Sequence, residues 1–119
     1  MTTLELAKLA VARLDDRKAE DTVVLNIESV STLGDFFIIT TGNNTTQVRA
    51  LADDLEEAVS KQGVEPLRIE RDTSNNWILM DYGDLMVHIF YRKARETYRL
   101  EGVWADAKKY TAEEFVKLG

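Results

Sequence analysis

Two apolar runs, Trp77-Ile-Leu-Met80 and Leu85-Met-Val-His-Ile-Phe90, flank the residues Asp81-Tyr82-Gly83-Asp84. Each run is long enough for a strand and short for a helix, and aspartate with glycine between them suits a tight reversal. Two strands alone are not stable in water. The remaining sequence must therefore widen the sheet with further strands and bury its faces with helices.

The helices are legible from period and caps. Thr2 and Glu5 have capping-box spacing, and Leu6, Leu9, Ala10, Arg13 and Leu14 follow at helical intervals, which predicts a helix from about Thr3 to Arg17. A longer helix is predicted from Thr45 to Gln62, with Asn44 as its N-cap and Gly63 as its stop. Its apolar stripe is Val48, Leu51, Ala52, Leu55 and Val59; Arg49, Asp53, Asp54, Glu56, Glu57 and Lys61 face the other way. Thr111 and Glu114 form a second capping box opening a brief terminal helix, and a short helical patch is expected near Arg95 to Tyr98.

The strands follow from β-branched and aromatic runs. Val23 to Ile27, Phe36 to Thr41 and Leu67 to Glu70 join the hairpin, the second of them expected to be buried on both faces. Lys18 to Asp21 reads as a polar connection, 29–34 as a turn and 71–76 as a loop. No repeat or linker interrupts the chain. Residues 1–119 are read as a single domain of mixed α+β class, a mixed five-stranded sheet flanked by helices.

Composition bears on function by what it disfavours. Without cysteine there is no disulfide, thiolate metal site or cysteine nucleophile. The amino terminus lacks the basic start of a signal peptide, and no apolar run approaches the ~20 residues of a membrane span, so the expected location is cytoplasmic with no membrane partner. A net charge of −6 argues against direct nucleic-acid binding as the dominant function, although Arg92, Lys93, Arg95 and Arg99 lie close together. An acidic protein is better matched to a basic one.

Residues with possible chemistry are few. Asp81 and Asp84 straddle Gly83, so they read first as turn-forming carboxylates; metal-dependent transfer would need carboxylates alternating on one strand and a glycine-rich phosphate cradle. His88, the single histidine, alternates with Val87 and Ile89, and its default role is a hydrogen-bonded structural imidazole. No catalytic, metal or cofactor site is expected. Trp77 is either core or an exposed anchor. Tyr98, Leu100 and Trp104 are spaced too irregularly for one helical stripe, which suggests a surface segment presenting apolar groups. Were Trp77, Tyr98, Leu100 and Trp104 to gather with Asp81, Asp84 and Glu101 at their rim, they would have the anatomy of a protein interface.

The hairpin, the segment Arg95-Glu-Thr-Tyr-Arg-Leu-Glu-Gly-Val-Trp104 after it, and Asp35-Phe-Phe-Ile-Ile-Thr-Thr-Gly42 with Gln47-Val-Arg-Ala50 before it keep one order. Together, from about Asp21 to Trp104, they closely resemble the Iojap-related ribosomal silencing factors. Thr97 stands where that family usually has an aromatic residue, and Gly102-Val103 where it usually has a basic–apolar pair. The resemblance implies a nucleotidyltransferase-like fold. It also implies a translational repressor that binds a basic large-subunit ribosomal protein at the subunit interface and sterically blocks the small subunit, with a homodimer when free. The rivals are a homodimeric adaptor for another cytosolic protein and a nucleotidyltransferase-type enzyme.

Overall fold

The computed structural model describes residues 1–32 and 34–118. Its elements are α1 (Thr3–Asp16), β1 (Glu20–Asn26), β2 (Phe36–Gly42), α2 (Thr45–Ser60), β3 (Arg68–Arg71), β4 (Trp77–Asp81) and β5 (Leu85–Tyr91). They continue with α3 (Arg92–Tyr98), α4 (Leu100–Val103), β6 (Lys108–Thr111) and α5 (Ala112–Val116). The strands form one mixed sheet in the order β3-β4-β5-β2-β1-β6. The two hairpins, β1–β2 and β4–β5, are antiparallel and are zipped together by the parallel pair β2–β5. The anticipated mixed sheet is present, with six strands rather than five.

The added strand is β6, which pairs antiparallel with β1 from Val23↔Thr111 to Asn26↔Lys108. Lys108-Lys109-Tyr110-Thr111 offers one apolar side chain in four residues, too little alternation to be read as a strand. Lysines on an edge strand also discourage pairing with another chain. β1 begins earlier than expected, at Glu20, because a register shift between Glu20 and Val23 carries the ladder past Asp21, whose φ is 50°. The predicted turn at 29–34 includes Leu33, which lies outside the described residues.

Caps fix where the helices start. The hydroxyl of Thr2 accepts from the Glu5 N–H while Glu5 accepts from the Thr2 N–H, and Thr111 with Glu114 repeats the arrangement. Asn44 accepts from the Gln47 N–H at 2.8 Å, but Gln47 reaches one residue further back, accepting from the Asn43 N–H at 2.7 Å. At the end of β2 the chain passes so close to α2 that a Cβ on Gly42 would lie 2.8 Å from Val48 Cγ2 and 3.1 Å from the Val48 nitrogen. Glycine is required there by contact. At Gly83 it is required by conformation, since φ is 88° in the three-residue hairpin connection.

Alternation along the strands gives the sheet two unequal faces. One carries Val24, Phe36, Ile38, Ile78, Met80, Leu85, Val87 and Ile89 against Leu6, Ala10 and Leu14 of α1, the stripe of α2, and Phe115 of α5. The other carries Leu25, Phe37, Ile39 and Phe90 beneath Ala94, Leu100 and Trp104. β2 is buried along its whole length, as expected for the strand at the junction of the hairpins.

Asp54 departs from the outward orientation expected of it. Its carboxylate lies between the first two helices, accepting from Arg13 Nε at 2.7 Å and Nη2 at 2.9 Å, with Arg17 Nη2 at 3.1 Å. It sits three residues after Leu51 and so borders the buried stripe on the side facing α1. The Arg13 hydrogen bond outweighs desolvation and holds the Asp54 carboxyl below its ordinary 3.8. Because the folded carboxyl is the stronger acid, this stabilisation is complete above the unfolded pKa and is lost as pH falls through the folded one. Asp54→Asn is therefore expected to flatten the decline of the thermal midpoint below about pH 3.8, measured by unfolding across the acid range. An unchanged acid limb would show that the pair carries no weight.

Candidate protein-docking face

The sheet face opposite α1 and α2 is only half covered. α3 packs across β5 and β2, and Leu100 and Trp104 pack on the same face, while Trp77 and Leu79 of β4 and Met86 of β5 stay partly open. Register explains the grouping: Trp77 pairs with Phe90 and Leu79 with His88, so their side chains share this face. Aromatic rings run across it. Tyr98 packs on Trp77 at 4.8 Å, Trp77 stacks on Phe90 at 5.1 Å, and His88 lies 5.8 Å from Trp77 and 5.0 Å from Phe37. Phe37 then meets Trp104 edge-on at 5.4 Å. Offset and edge-on contacts are the preferred arrangements for such rings.

His88 sits at the middle of this row and is 5% exposed. Its Nδ1 accepts a hydrogen bond from Trp77 Nε1 at 3.2 Å, and its Nε2 is buried without a partner. Burial pushes its pKa down to about 4, so the ring is neutral at neutral pH.

Trp77 and Tyr98 touch directly, and Trp104 is joined to them on the same face through Phe37 and His88. Tyr98 is 54% exposed, with Val103 beyond it at 70%. Trp77 and Leu100 are half-buried and packed on the smaller core, so each takes part in folding as well as facing outward. The irregular segment expected after the hairpin is real: α3 ends at Arg99, whose φ of 45° and ψ of 50° break the helix before α4.

The acidic rim is less available than its sequence suggests. Asp81 closes β4, is 8% exposed, and serves the turn as its sequence position suggests. Its oxygens accept from Arg68 Nε at 3.0 Å and the Gly83 N–H at 2.9 Å. Glu101 is paired with Arg95 at 3.2 Å. Asp84 is exposed in the hairpin turn, at the end of the strands remote from Trp77. The gathering of all three carboxylates around the aromatics is thus corrected: burial and ion pairing occupy two, and strand length separates the third.

Arg95, set aside in the sequence as part of a basic cluster, is a latch. It donates to the Thr41 hydroxyl at 2.8 Å, to the Asp21 carbonyl and to Glu101, tying α3 and α4 to the sheet. Arg92 pairs with Glu20 and Asp21. Those pairs largely neutralise the basic cluster in a cleft of about 440 Å³ that Arg99, Glu96 and Glu101 also line. Leu79 and Met86 also belong to the face, and alternation counted from Trp77 and Phe90 points to both.

Among the described residues, no helix is long and apolar enough to cross a membrane, and no group of three His, Asp or Glu residues is placed to hold a metal. Residues 1–118 match the family described as "Ribosomal silencing factor during starvation". A protein of Halalkalibacterium halodurans named ribosomal silencing factor is 43% identical over 90% of this chain and 92% of its own length. The crystal structure of a Chromobacterium violaceum protein superposes with a TM-score of 0.85 at 32% identity, covering 88% of each chain. A mouse protein named for mitochondrial assembly of the large ribosomal subunit is 27% identical over 81% of this chain and 43% of its own.

Proposed function

Because the chain belongs to the ribosomal silencing factor family, whose names attach it to ribosomes and the regulation of translation, we propose a specific mode of action. The chain docks through its half-open aromatic face on a basic protein of the large ribosomal subunit. By occupying that surface it keeps the small subunit from joining and so represses translation. The supporting observation is the row from Tyr98 through Trp77 to Trp104, left partly open in a chain of net charge −6. Aromatic anchors carry much of the energy of protein interfaces, and an acidic surface steers toward a basic one. Binding and excluded volume suffice, and no reaction is required. The commitment of Asp81 to Arg68 and the Gly83 N–H counts against a metal-holding role for it and so against the enzyme reading. In this reading the chain acts in the cytoplasm.

The test mixes purified large and small subunits with the protein and follows their joining by sedimentation. Fewer joined ribosomes, with the protein travelling on free large subunits, is the expected result. Unimpeded joining at saturating protein would reject the mechanism. The same exposed face favours a symmetric pairing of two free copies, since a self-complementary patch is the usual route to a dimer. A free chain that sediments strictly as a monomer at high concentration would remove the pairing and leave docking untouched.

A further inference from the structure

On the sequence pattern, position 88 ought to be aliphatic. Its neighbours Val87 and Ile89 are fully buried, and position 88 itself lies against Phe37, Trp77 and Phe90. A leucine would fill such a site with no polar atom. Histidine instead leaves Nε2 buried and unpartnered. With Nδ1 accepting from the indole, a neutral ring must carry its proton on that same Nε2. A buried donor with nothing to bond is a cost to the fold. What the imidazole supplies in return is one acceptor for the Trp77 N–H.

Beside the same indole lies a hollow of about 280 Å³ lined by Trp77, Leu79, Glu70, Arg71 and Asp72. Its floor is apolar. Asp72 is tied to the Asn76 and Trp77 N–H groups at 2.6 and 3.4 Å. Glu70 shares its charge with Arg68 at 2.7 Å, and Arg71, the cation of the lining, is itself paired with Asp53 at 3.2 Å, so the carboxylates are not opposed by a free cation of the lining. An aromatic wall, an aliphatic floor and a carboxylate rim complement one residue type in particular. A long side chain with an aliphatic stem and a cationic head can lie along the apolar surface while its charge meets the ring face and the carboxylates.

We propose that the hollow beside Trp77 seats an arginine or lysine side chain of the basic partner, and that His88 is the positioning residue that fixes its indole wall. This rests on the docking reading above and sharpens it. The bond to His88 turns the one polar atom of the Trp77 indole into the fold, so the partner meets the indole by its ring alone. Docking then leaves no indole N–H to be satisfied.

The test compares His88→Leu, His88→Asn and His88→Gln. Asn places its side-chain oxygen near the position of Nδ1, whereas Gln places it near Nε2. In the free wild-type protein the Trp77 indole N–H is expected to be protected from hydrogen exchange. Protection should be lost in His88→Leu and His88→Gln and retained in His88→Asn. With purified large subunits, His88→Leu should bind about 10-fold more weakly while melting no lower than wild type, and His88→Asn should bind as wild type does. Glu70→Gln should weaken binding and reduce its dependence on salt. A wild-type indole N–H that exchanges freely, or a His88→Leu protein that binds normally, would overturn the positioning role. If His88→Leu fails to fold, the Asn and Gln pair decides: equal binding by both defeats the proposal. Unchanged binding and salt dependence in Glu70→Gln would reject the cationic occupant. A wild-type chain that does not bind large subunits would defeat the docking reading and the occupant together, while the exchange measurements would still decide how Trp77 is held.

Discussion

A chain carrying both Leu51→Ala and Leu55→Ala is expected to be largely unfolded. Both leucines are almost wholly buried on the stripe of α2, at most 2% exposed, where they pack in the larger core with Leu6, Leu14 and Met80. Truncating a buried leucine costs about 2–5 kcal/mol, part of it from the cavity left behind. Two adjacent truncations share a cavity and are not strictly additive. Even so, their combined loss is comparable with the total stability of about 5–15 kcal/mol typical of a domain. Denaturant titration followed by circular dichroism measures the loss. A double variant that unfolds at the wild-type denaturant concentration would contradict the packing of α2 on the sheet.

Substitutions at Trp77 and Tyr98 should weaken docking on large subunits by about 30-fold each, the equivalent of the roughly 2 kcal/mol that defines an interface hot spot. The two separate differently from stability. Trp77 stacks on Phe90 and is bonded to His88, so Trp77→Ala is expected to lower the melting temperature as well. Tyr98 is 54% exposed, so Tyr98→Ala should melt close to wild type while its docking is lost. Paired melting curves and a binding titration against large subunits distinguish the cases. A Tyr98→Ala protein that still blocks subunit joining at wild-type concentrations would remove Tyr98 from the docking face. If both variants behave so, the face itself is excluded.

Much of this architecture was legible in the residues because several local signals agreed. α2 has an N-cap, a stop and an unbroken stripe, and its observed span differs from the expected one only by the last two residues, Lys61 and Gln62. β4 and β5 were marked by a glycine that the connection requires. β6 was not legible, since its pairing with β1 is a tertiary event that four residues with two lysines do not announce. The candidate site was read less completely. Aromatic residues of the segment after the hairpin do reach the sheet face, but three residues that complete the face, Phe37, Leu79 and Met86, come from strands whose orientation depends on register. Charges were the least legible. Asp54, Asp81 and Glu101 look alike in sequence, and only the arrival of Arg13, Arg68 and Arg95 makes each an internal partner rather than a surface charge.

The order of the strands also constrains when the sheet can exist during synthesis. Its central seam joins Phe36 to Leu85, and its last ladder joins Val24 to Tyr110, so neither can close until most of the chain has been made. The β1–β2 hairpin can form early, but it then displays the apolar residues of β2 along an edge that waits for β5. Pairings this distant must meet their loop-closure entropy before any contact repays it, which slows folding and prolongs exposure of unpaired strands. The aromatic row shares that timing, because Phe37, Trp77 and Trp104 come from widely separated stretches of chain. A nascent copy therefore has no finished face with which to bind the ribosome that is making it.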